Sequence, residues 1–88
     1  MTYTVVLQHE PEGGYSVTVP ALPGCFTEGA DEDEALSMAR EAIECHLEAL
    51  SMDGDPIPDD VDAFDLAVDM PTNLLVRHVK VGEALAIA

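Results

Sequence analysis

The sequence has very few basic residues. Against 18 aspartates and glutamates the 88-residue chain carries only three lysines and arginines, so its formal net charge is −15. Such a field repels the phosphates of nucleic acids and anionic lipid headgroups, and it accelerates encounter with a basic protein. We therefore predict no direct binding of nucleic acid. Two explanations of the acidity stay open: a basic protein partner, or adaptation to a salty cytoplasm.

Cysteine and long apolar runs are also scarce. The only cysteines are Cys25 and Cys45, and without a CxxC-type pair they predict neither a disulfide scaffold nor a four-ligand zinc site. No apolar run follows a basic N-terminal stretch, and none approaches the roughly 18 residues of a membrane span. We expect one domain over residues 1–88, located in the cytoplasm, with reduced thiols and no membrane association.

The N-terminal third has the composition of β-strands. Residues 3–9 are rich in β-branched side chains and apolar on both alternating sets, which is typical of a central strand. Residues 15–19 alternate strictly, and the glycines of the segment between the two runs favour a hairpin turn. Residues 25–29 are long enough for one more short strand. We predict a three-stranded antiparallel meander in which residues 3–9 lie in the middle of the sheet.

A segment rich in proline and glycine follows the second strand. Its prolines fix φ and remove backbone donors, and its glycine permits a turn that a side chain would oppose. We interpret the segment as a structural elbow and not as an active loop. Its defining residues are Pro20, Leu22, Pro23 and Gly24. Cys25 has no base near it in the sequence, so we assign it to packing.

The next segment predicts a long amphipathic helix from Asp31 to about Met52. Asp31 can cap the free amides of the first turn, and Glu34 lies three residues on, where a capping box places its reciprocal partner. Arg40 and Glu44 are spaced for an i, i+4 ion pair worth about 0.2–0.5 kcal/mol. One face is apolar. Its stripe contains Leu36, Ala39, Ile43, Leu47 and Leu50.

The C-terminal part predicts one more strand. Residues 61–70 are ambiguous between a brief strand, a helical turn and an excursion over the core, whereas residues 73–81 are apolar on both faces. A strand that returns to the same sheet through a helix requires a right-handed crossover, so we predict a fourth strand parallel to its neighbour. The expected fold is α+β with the order β-β-β-α-β. We expect the apolar tail, residues 82–88, to contribute to an oligomer contact.

One helix can cover only one face of such a sheet. We predict that Val6, Leu74 and Val76 lie on the other face, where no second amphipathic helix is available to cover them. Exposed apolar area of this kind marks an interaction site. We therefore predict that the chain is a homo-oligomer, a dimer or a tetramer, or that it offers this face to a partner.

Several short motifs follow one another in order between residues 15 and 58. They are Tyr15-x-Val17-x-Val19-Pro20-x-Leu22-Pro23-Gly24-Cys25, Gly29-x-Asp31-x-x-Glu34-Ala35, Ala39-x-x-Ala42-Ile43 and Gly54-x-Pro56-Ile57-Pro58. Together they resemble the HicB-type antitoxins and their stand-alone HicB-like (UPF0150-type) relatives. The resemblance implies a prokaryotic, intracellular, partly ribonuclease-H-like domain that binds and neutralises a small basic RNA-cleaving toxin of the HicA type.

The resemblance also directs the choice of contact residues. We select Glu41, Glu44 and Glu48 as contacts for basic groups of the toxin, with apolar area from Tyr15 and Phe26. Many relatives carry a C-terminal DNA-binding module, but the residues after Val81 contain no base, so we expect none here. This expectation keeps an alternative open: a solitary HicB-like oligomeric structural or regulatory protein without a toxin.

Catalytic and metal-binding hypotheses fit the sequence less well. A ribonuclease-H-like skeleton suggests a metal-dependent nuclease, but the acids of residues 31–34 are consecutive, so their side chains fan around the helix instead of converging on one ion. The three histidines lack the spacing of a zinc motif, and the acids of residues 53–60 do not follow the order of an EF-hand. We predict no enzymatic activity, no metal and no cofactor.

Overall fold

The computed structural model describes residues 1–62 and 74–82. These residues form four strands and one helix in the predicted order β-β-β-α-β. The elements are β1 (Thr2–His9), β2 (Tyr15–Thr18), β3 (Phe26–Gly29), α1 (Glu32–Met52) and β4 (Leu74–Lys80). The strands form a single sheet of order β3-β2-β1-β4. The antiparallel meander and the central position of β1 are therefore confirmed.

The turn between β1 and β2 is closed by backbone hydrogen bonds. The Glu10 amide donates to the Gly14 carbonyl, and the Gly13 amide donates to the Glu10 carbonyl, both at 3.0 Å. Gly14 has a φ of 81°, and a Cβ there would lie 2.9 Å from the Gly29 carbonyl oxygen. Glycine is therefore required twice over at this position, by its conformation and by the close approach of β3.

The segment from Val19 to Cys25 is a closed elbow. The Val19 amide donates to the Cys25 carbonyl at 3.1 Å, and the Cys25 amide donates to the Leu22 carbonyl at 2.9 Å. Gly24 has a φ of 84°, which allows the tight return. The Leu22 side chain is fully buried. The elbow thus anchors the end of β2 in the core while it redirects the chain into β3.

The start of α1 follows the predicted cap closely. The Asp31 carboxylate accepts from the Glu34 amide at 2.8 Å, and the Glu34 carboxylate accepts from the Ala30 amide at 2.8 Å. In a capping box the Glu34 carboxylate would accept from the amide of Asp31, the N-cap residue. Here it accepts from the amide of Ala30, one residue earlier. Both bonds satisfy amides that the helix cannot.

The core lies between α1 and one face of the sheet. The helix contributes four fully buried side chains, Ala35, Ala39, Ile43 and Leu47. Leu36 and Leu50 of the predicted stripe are only half-buried against this core. The sheet contributes the side chains that alternate toward the helix, chiefly Tyr3, Val5, Leu7, Val17 and Val79.

The prediction of a parallel fourth strand is wrong. β4 pairs with β1 in the antiparallel direction, with Leu74 opposite Gln8 and Lys80 opposite Thr2. The crossover rule applies to a strand that follows the helix directly. Here α1 of 21 residues spans about 31 Å and carries the chain away from the end at which β4 begins. The long segment 53–73 separates the two elements, so the chain reaches β4 in the opposite direction.

The described part of this segment is docked on the first residues of β1. The Asp60 carboxylate accepts from both the amide and the hydroxyl of Thr4, each at 2.8 Å. The Tyr3 hydroxyl donates to the Pro58 carbonyl. Because β2 pairs with β1 only as far as Val6, the side chain of Asp60 replaces a strand partner for Thr4.

Three sequence predictions concern residues at the margins of the structure. The alternatives for residues 63–70 lie outside the described residues, and so does the proposed contact of the tail beyond Gly82. Val6, Leu74 and Val76 do lie on the sheet face opposite α1, as predicted. In residues 1–62 and 74–82 no helix has the length and apolar character that crossing a membrane requires.

Candidate protein-binding surface

The three glutamates selected on α1 lie in different environments. Glu41 and Glu48 are exposed and seven residues apart, so they lie on the same side of the helix. Among the described residues neither carboxylate has a hydrogen bond or an ion pair. Glu44 is half-buried and accepts from the Gly82 amide at 3.0 Å. Two of the three acids are therefore available to a partner, and the third holds the chain that follows β4.

The expected ion pair between Arg40 and Glu44 does not form. Over the described ranges, the ion pair within 4.0 Å is that of Arg77 with Glu32, at 3.1 Å. It ties β4 to the first turn of α1. Both side chains are more than a third exposed, so the pair is worth at most about 1 kcal/mol. Arg40 and Lys80 flank the same shallow depression as Glu44 without bonding to it.

A cleft with an acidic rim opens at the end of the sheet where α1 begins. It has a volume of about 530 Å³ and is bounded by the β1–β2 turn, the end of β3 and the first two turns of α1. Glu10, Glu28 and Glu34 are among the residues that line it, and its apolar wall includes Tyr15 and Met38. The Glu10 carboxylate accepts from the Ser16 hydroxyl at 2.7 Å, and the Glu34 carboxylate accepts from the Ala30 amide at 2.8 Å. The Tyr15 ring is half-buried and lies 5.1 Å from the His9 ring.

Two glycines create this cleft by allowing the elements to meet. A Cβ on Gly29 would lie 2.4 Å from the Ala35 amide nitrogen, so only glycine allows β3 to pass so close to α1. Gly14 serves the same purpose between the turn and β3. Carboxylates beside an aromatic face can hold a guanidinium or an ammonium group by ion pairing and by cation–π attraction. The cleft can thus accept one basic side chain.

The sequence-based selection contained only part of this surface. Tyr15 was selected and lines the cleft, but Glu10, Glu28 and Glu34 were not selected as contacts. These three acids come from separate elements, and no spacing in the sequence indicates that they converge. Phe26 does not line the cleft; it lies on the sheet face opposite α1, as the Glu28 side chain does, with 73% of its surface exposed.

Two ionisable groups of the core, Cys25 and Tyr3, have raised pKa values. Burial raises the pKa of the Cys25 thiol, with a smaller contribution from Cys45, and keeps it protonated. Burial and then the charges of Asp59 and Asp60 raise the pKa of Tyr3. In the described part of the chain, no group of three or more His, Cys, Asp or Glu side chains is placed to hold a metal ion.

The fold and this surface define a class of protein: a small acidic α+β domain with exposed carboxylates and apolar side chains on its surface. A family model described as "HicB_like antitoxin of bacterial toxin-antitoxin system" matches residues 3–79. The chain belongs to this family. The match covers all four strands and the helix, so the resemblance detected in the motifs of residues 15–58 extends over the whole fold.

Individual relatives agree with this assignment. A UPF0150 protein of Thermoplasma acidophilum is 47% identical over 60 residues, which are 68% of this chain and 87% of that protein. The structure is similar to the N-terminal domain of Burkholderia pseudomallei antitoxin HicB, with a TM-score of 0.77, 29% identity and coverage of 93% and 99%. A chain of a HicA3 and HicB3 toxin-antitoxin complex matches with a TM-score of 0.74, 26% identity and the same coverage.

Proposed function

We propose that this protein is a non-catalytic antitoxin that binds a small basic toxin of the HicA type and blocks its cleavage of RNA. The observation that carries the proposal is the imbalance of charge on the surface. The chain has 18 acidic and only three basic residues, and Glu41 and Glu48 are exposed without an ionic partner among the described residues. A basic protein supplies the missing charges.

Neutralisation by docking follows from simple electrostatics. A toxin that cleaves RNA must present basic groups to phosphates, and the carboxylates of this chain compete for the same groups. Attraction between opposite fields raises the association rate by about 10- to 1,000-fold at low salt. We place the complex in the cytoplasm, where the exposed, unpaired thiol of Cys45 stays reduced.

The surface provides two places for basic side chains. The cleft beside Tyr15 takes one arginine or lysine, whose charge is attracted by the acidic residues that line it. The ridge formed by Glu41 and Glu48 takes further basic groups along the side of α1. Two sites on adjacent elements fix the orientation of a partner, which one charged patch does not.

A binding experiment tests the proposal. The product of a small adjacent reading frame that encodes a basic protein is co-expressed and purified with this chain, and its affinity and its RNA cleavage are measured with and without the antitoxin. We expect a complex that inhibits cleavage and that weakens as NaCl concentration rises, because screening reduces the attraction. A toxic neighbour that does not bind, or that binds and continues to cleave RNA, would contradict the proposal.

Charge-matched variants localise the surface. The double variant Glu41→Gln/Glu48→Gln removes two charges from the ridge, whereas Glu12→Gln/Asp55→Asn removes two from exposed turns outside the cleft and the ridge. We expect the first to weaken toxin binding about tenfold or more and the second less than about threefold. Equal losses would mean that net charge alone, and not this surface, governs binding.

Family membership favours the antitoxin over a solitary structural or regulatory protein without a toxin. The alternative would still explain the acidity by adaptation to salt. Its distinguishing property is that the basic neighbour protein is absent or inert. The same co-purification therefore separates the two hypotheses, because only the antitoxin forms a stable complex that suppresses RNA cleavage.

A further inference from the structure

The outer edge of β4 presents backbone groups to which none of the described elements is paired. The Val81 amide donates to the Met1 carbonyl at 2.9 Å, so this pair and every second pair along β1 and β4 exchange backbone hydrogen bonds. The residues between them turn their amides and carbonyls away from β1. Those residues are Leu74, Val76, His78 and Lys80. Because β4 lies at one end of the strand order, these groups form a free edge.

Arg77 closes one part of this edge. Its guanidinium donates to the Val76 carbonyl at 3.0 Å and pairs with Glu32 at 3.1 Å. A strand that approached the Val76 carbonyl would have to displace it. The outward amides and carbonyls of His78 and Lys80 have no such cover among the described residues. The open part of the edge is therefore its C-terminal half.

The three lysines and arginines of the chain lie on this strand or beside it. Arg77 and Lys80 belong to β4, and Arg40 of α1 bounds the same groove as Lys80. Among the described residues Arg40 and Lys80 form no ion pair, although the chain has 18 acids. Arg40 lies on the side of the sheet that α1 covers, whereas Lys80 alternates with the buried Val79 and points to the other side. The two free cations thus flank the edge from opposite sides.

The groove between α1 and this edge has a volume of about 420 Å³. Its own acid, Asp33, lies seven residues before Arg40, about 10 Å away along the helix. The Glu44 carboxylate accepts a hydrogen bond from the chain that follows β4. The Asp60 carboxylate binds the Thr4 amide, which points away from β4. None of these acids neutralises the two cations.

From this arrangement we infer that the outer edge of β4 receives an extended acidic segment of the toxin, an inference that rests on the proposed function. The outward backbone groups of His78 and Lys80 supply the hydrogen bonds of an added strand. Consecutive side chains of such a strand point to opposite faces of the sheet. One carboxylate therefore meets Arg40, and a neighbouring carboxylate meets Lys80.

The charge of the whole chain decides which molecule can bring carboxylates to this edge. A net charge of −15 repels a nucleic acid or an acidic protein before it arrives. A basic protein is attracted as a whole, and an acidic segment on its surface then meets the two free cations. A basic segment at the same place would be repelled. The edge therefore orients a basic partner, which the acidic surface alone does not.

The edge adjoins the ridge of Glu41 and Glu48. Ser37 lines the groove beside β4 and lies four residues before Glu41, so the two occupy successive turns on one side of α1. A toxin whose basic groups bind the ridge thus has the free edge within reach. Attraction at the ridge and the opposite pattern of charge at the edge then act on the same bound partner.

Basic residues on an edge strand also protect proteins against edge-to-edge aggregation. In this chain acids would give the same protection, because a net charge of −15 already makes its copies repel one another. Protection therefore does not explain why basic residues, and not some of the 18 acids, are found here. The two explanations differ in their consequence, because purely protective residues can be replaced without loss of toxin binding.

Three variants with the same change in charge test the contact of the cations. Arg40→Gln and Lys80→Gln each make the chain more negative by one charge, and so does Met52→Glu, at a side chain that is 81% exposed at the end of α1. We expect Arg40→Gln and Lys80→Gln each to weaken toxin binding about fivefold or more, and Met52→Glu not to weaken it. If all three variants bind equally well or more tightly than the unaltered chain, the inference is wrong.

Amide hydrogen exchange, followed residue by residue by NMR, tests the added strand. In the free chain the amides of Val79 and Val81 point to β1 and should exchange slowly, whereas those of His78 and Lys80 point outward and should exchange fast. In the saturated toxin complex we expect the exchange of His78 and Lys80 to slow about tenfold or more. Fast exchange of both amides in the complex would overturn the inference.

Double-mutant cycles identify the carboxylates on the toxin. Each acid of the toxin is replaced by its amide and measured against Arg40→Gln and Lys80→Gln. We expect one acid to couple with Arg40 and another to couple with Lys80, at toxin positions an odd number of residues apart. Additive losses for every pair would contradict the inference, while inhibition of RNA cleavage would still support the antitoxin function. A toxin that does not bind this chain at all contradicts both.

Discussion

The two sides of the sheet use similar residues for different purposes. On the side of α1, Val5, Leu7 and Val17 are fully buried beneath the helix. On the other side, Val6 and Val76 alternate with them along the same strands and stay half-buried. A strand composition that is apolar on both alternating sets thus produces one core and one partly exposed face, and the single amphipathic helix decides which side of the sheet becomes the core.

Thr4 shows that the second side is not uniformly open. It points away from α1 and yet is fully buried, because the Asp60 carboxylate binds its amide and its hydroxyl. The segment after α1 therefore closes the part of β1 that β2 leaves unpaired. Further along this side, Phe26 is exposed and Val6 and Val76 are only half-buried.

Replacing a large side chain by alanine on each side of the sheet should give the largest difference in the free energy of unfolding. Ile43→Ala empties a fully buried site beneath the sheet and should lower the free energy of unfolding by about 2–5 kcal/mol. Phe26→Ala on the exposed side should change it by less than about 0.5 kcal/mol at concentrations where the chain is monomeric. Urea unfolding measures both. Similar losses would mean that Phe26 is part of the core.

Loss of the hydrogen bonds between Asp60 and Thr4 should have an intermediate effect on the free energy of unfolding. Asp60→Ala leaves the buried amide and hydroxyl of Thr4 without their acceptor, so we expect a loss of about 1–3 kcal/mol in urea unfolding. Asp59→Ala is the control, since it removes a neighbouring acid without a hydrogen bond to Thr4. If the two variants lose equal stability, the charge of the segment matters and the bond does not.

The smallest effect on the free energy of unfolding should come from Tyr3, which is buried on the side of α1, and should appear only in alkaline solution. The pKa of Tyr3 is raised above its ordinary value of 10.0, chiefly by burial, so the folded state retains a proton that the unfolded state releases. Its contribution is present below pH 10 and is lost as the pH rises through the higher folded pKa. Tyr3→Phe should flatten the decline in unfolding free energy above pH 10, measured by urea titration at several pH values. Because burial also raises the pKa of Cys25, Cys25→Ala separates the two groups.

Local elements were predictable because their causes lie within a few residues. The capping bonds of α1 join residues three and four positions apart, and the amphipathic stripe from Ala39 to Leu47 follows from the period of the helix. The hairpin required only two strand patterns and a glycine turn. The motifs between residues 15 and 58 contain the residues of this local framework.

Contacts between distant residues were not predictable in the same way. The direction of β4 was predicted wrongly, because the rule for a direct crossover does not consider where segment 53–73 leads. The contact of Glu44 with Gly82 joins residues 38 positions apart, so one of the three acids selected for binding holds the chain instead. The cleft likewise depends on Gly14 and Gly29, whose roles appear only when three elements meet.

The sequence by itself determined the class of fold, the capped helix, the elbow and a strong negative charge that favours a basic partner. These properties depend on composition and on interactions a few residues long. Only the tertiary structure decided that β4 runs antiparallel, that Asp60 completes β1 from 56 positions away, and that Glu10, Glu28 and Glu34 line one cleft. The reason is that each of these depends on the path of the chain between elements, which local propensities do not specify.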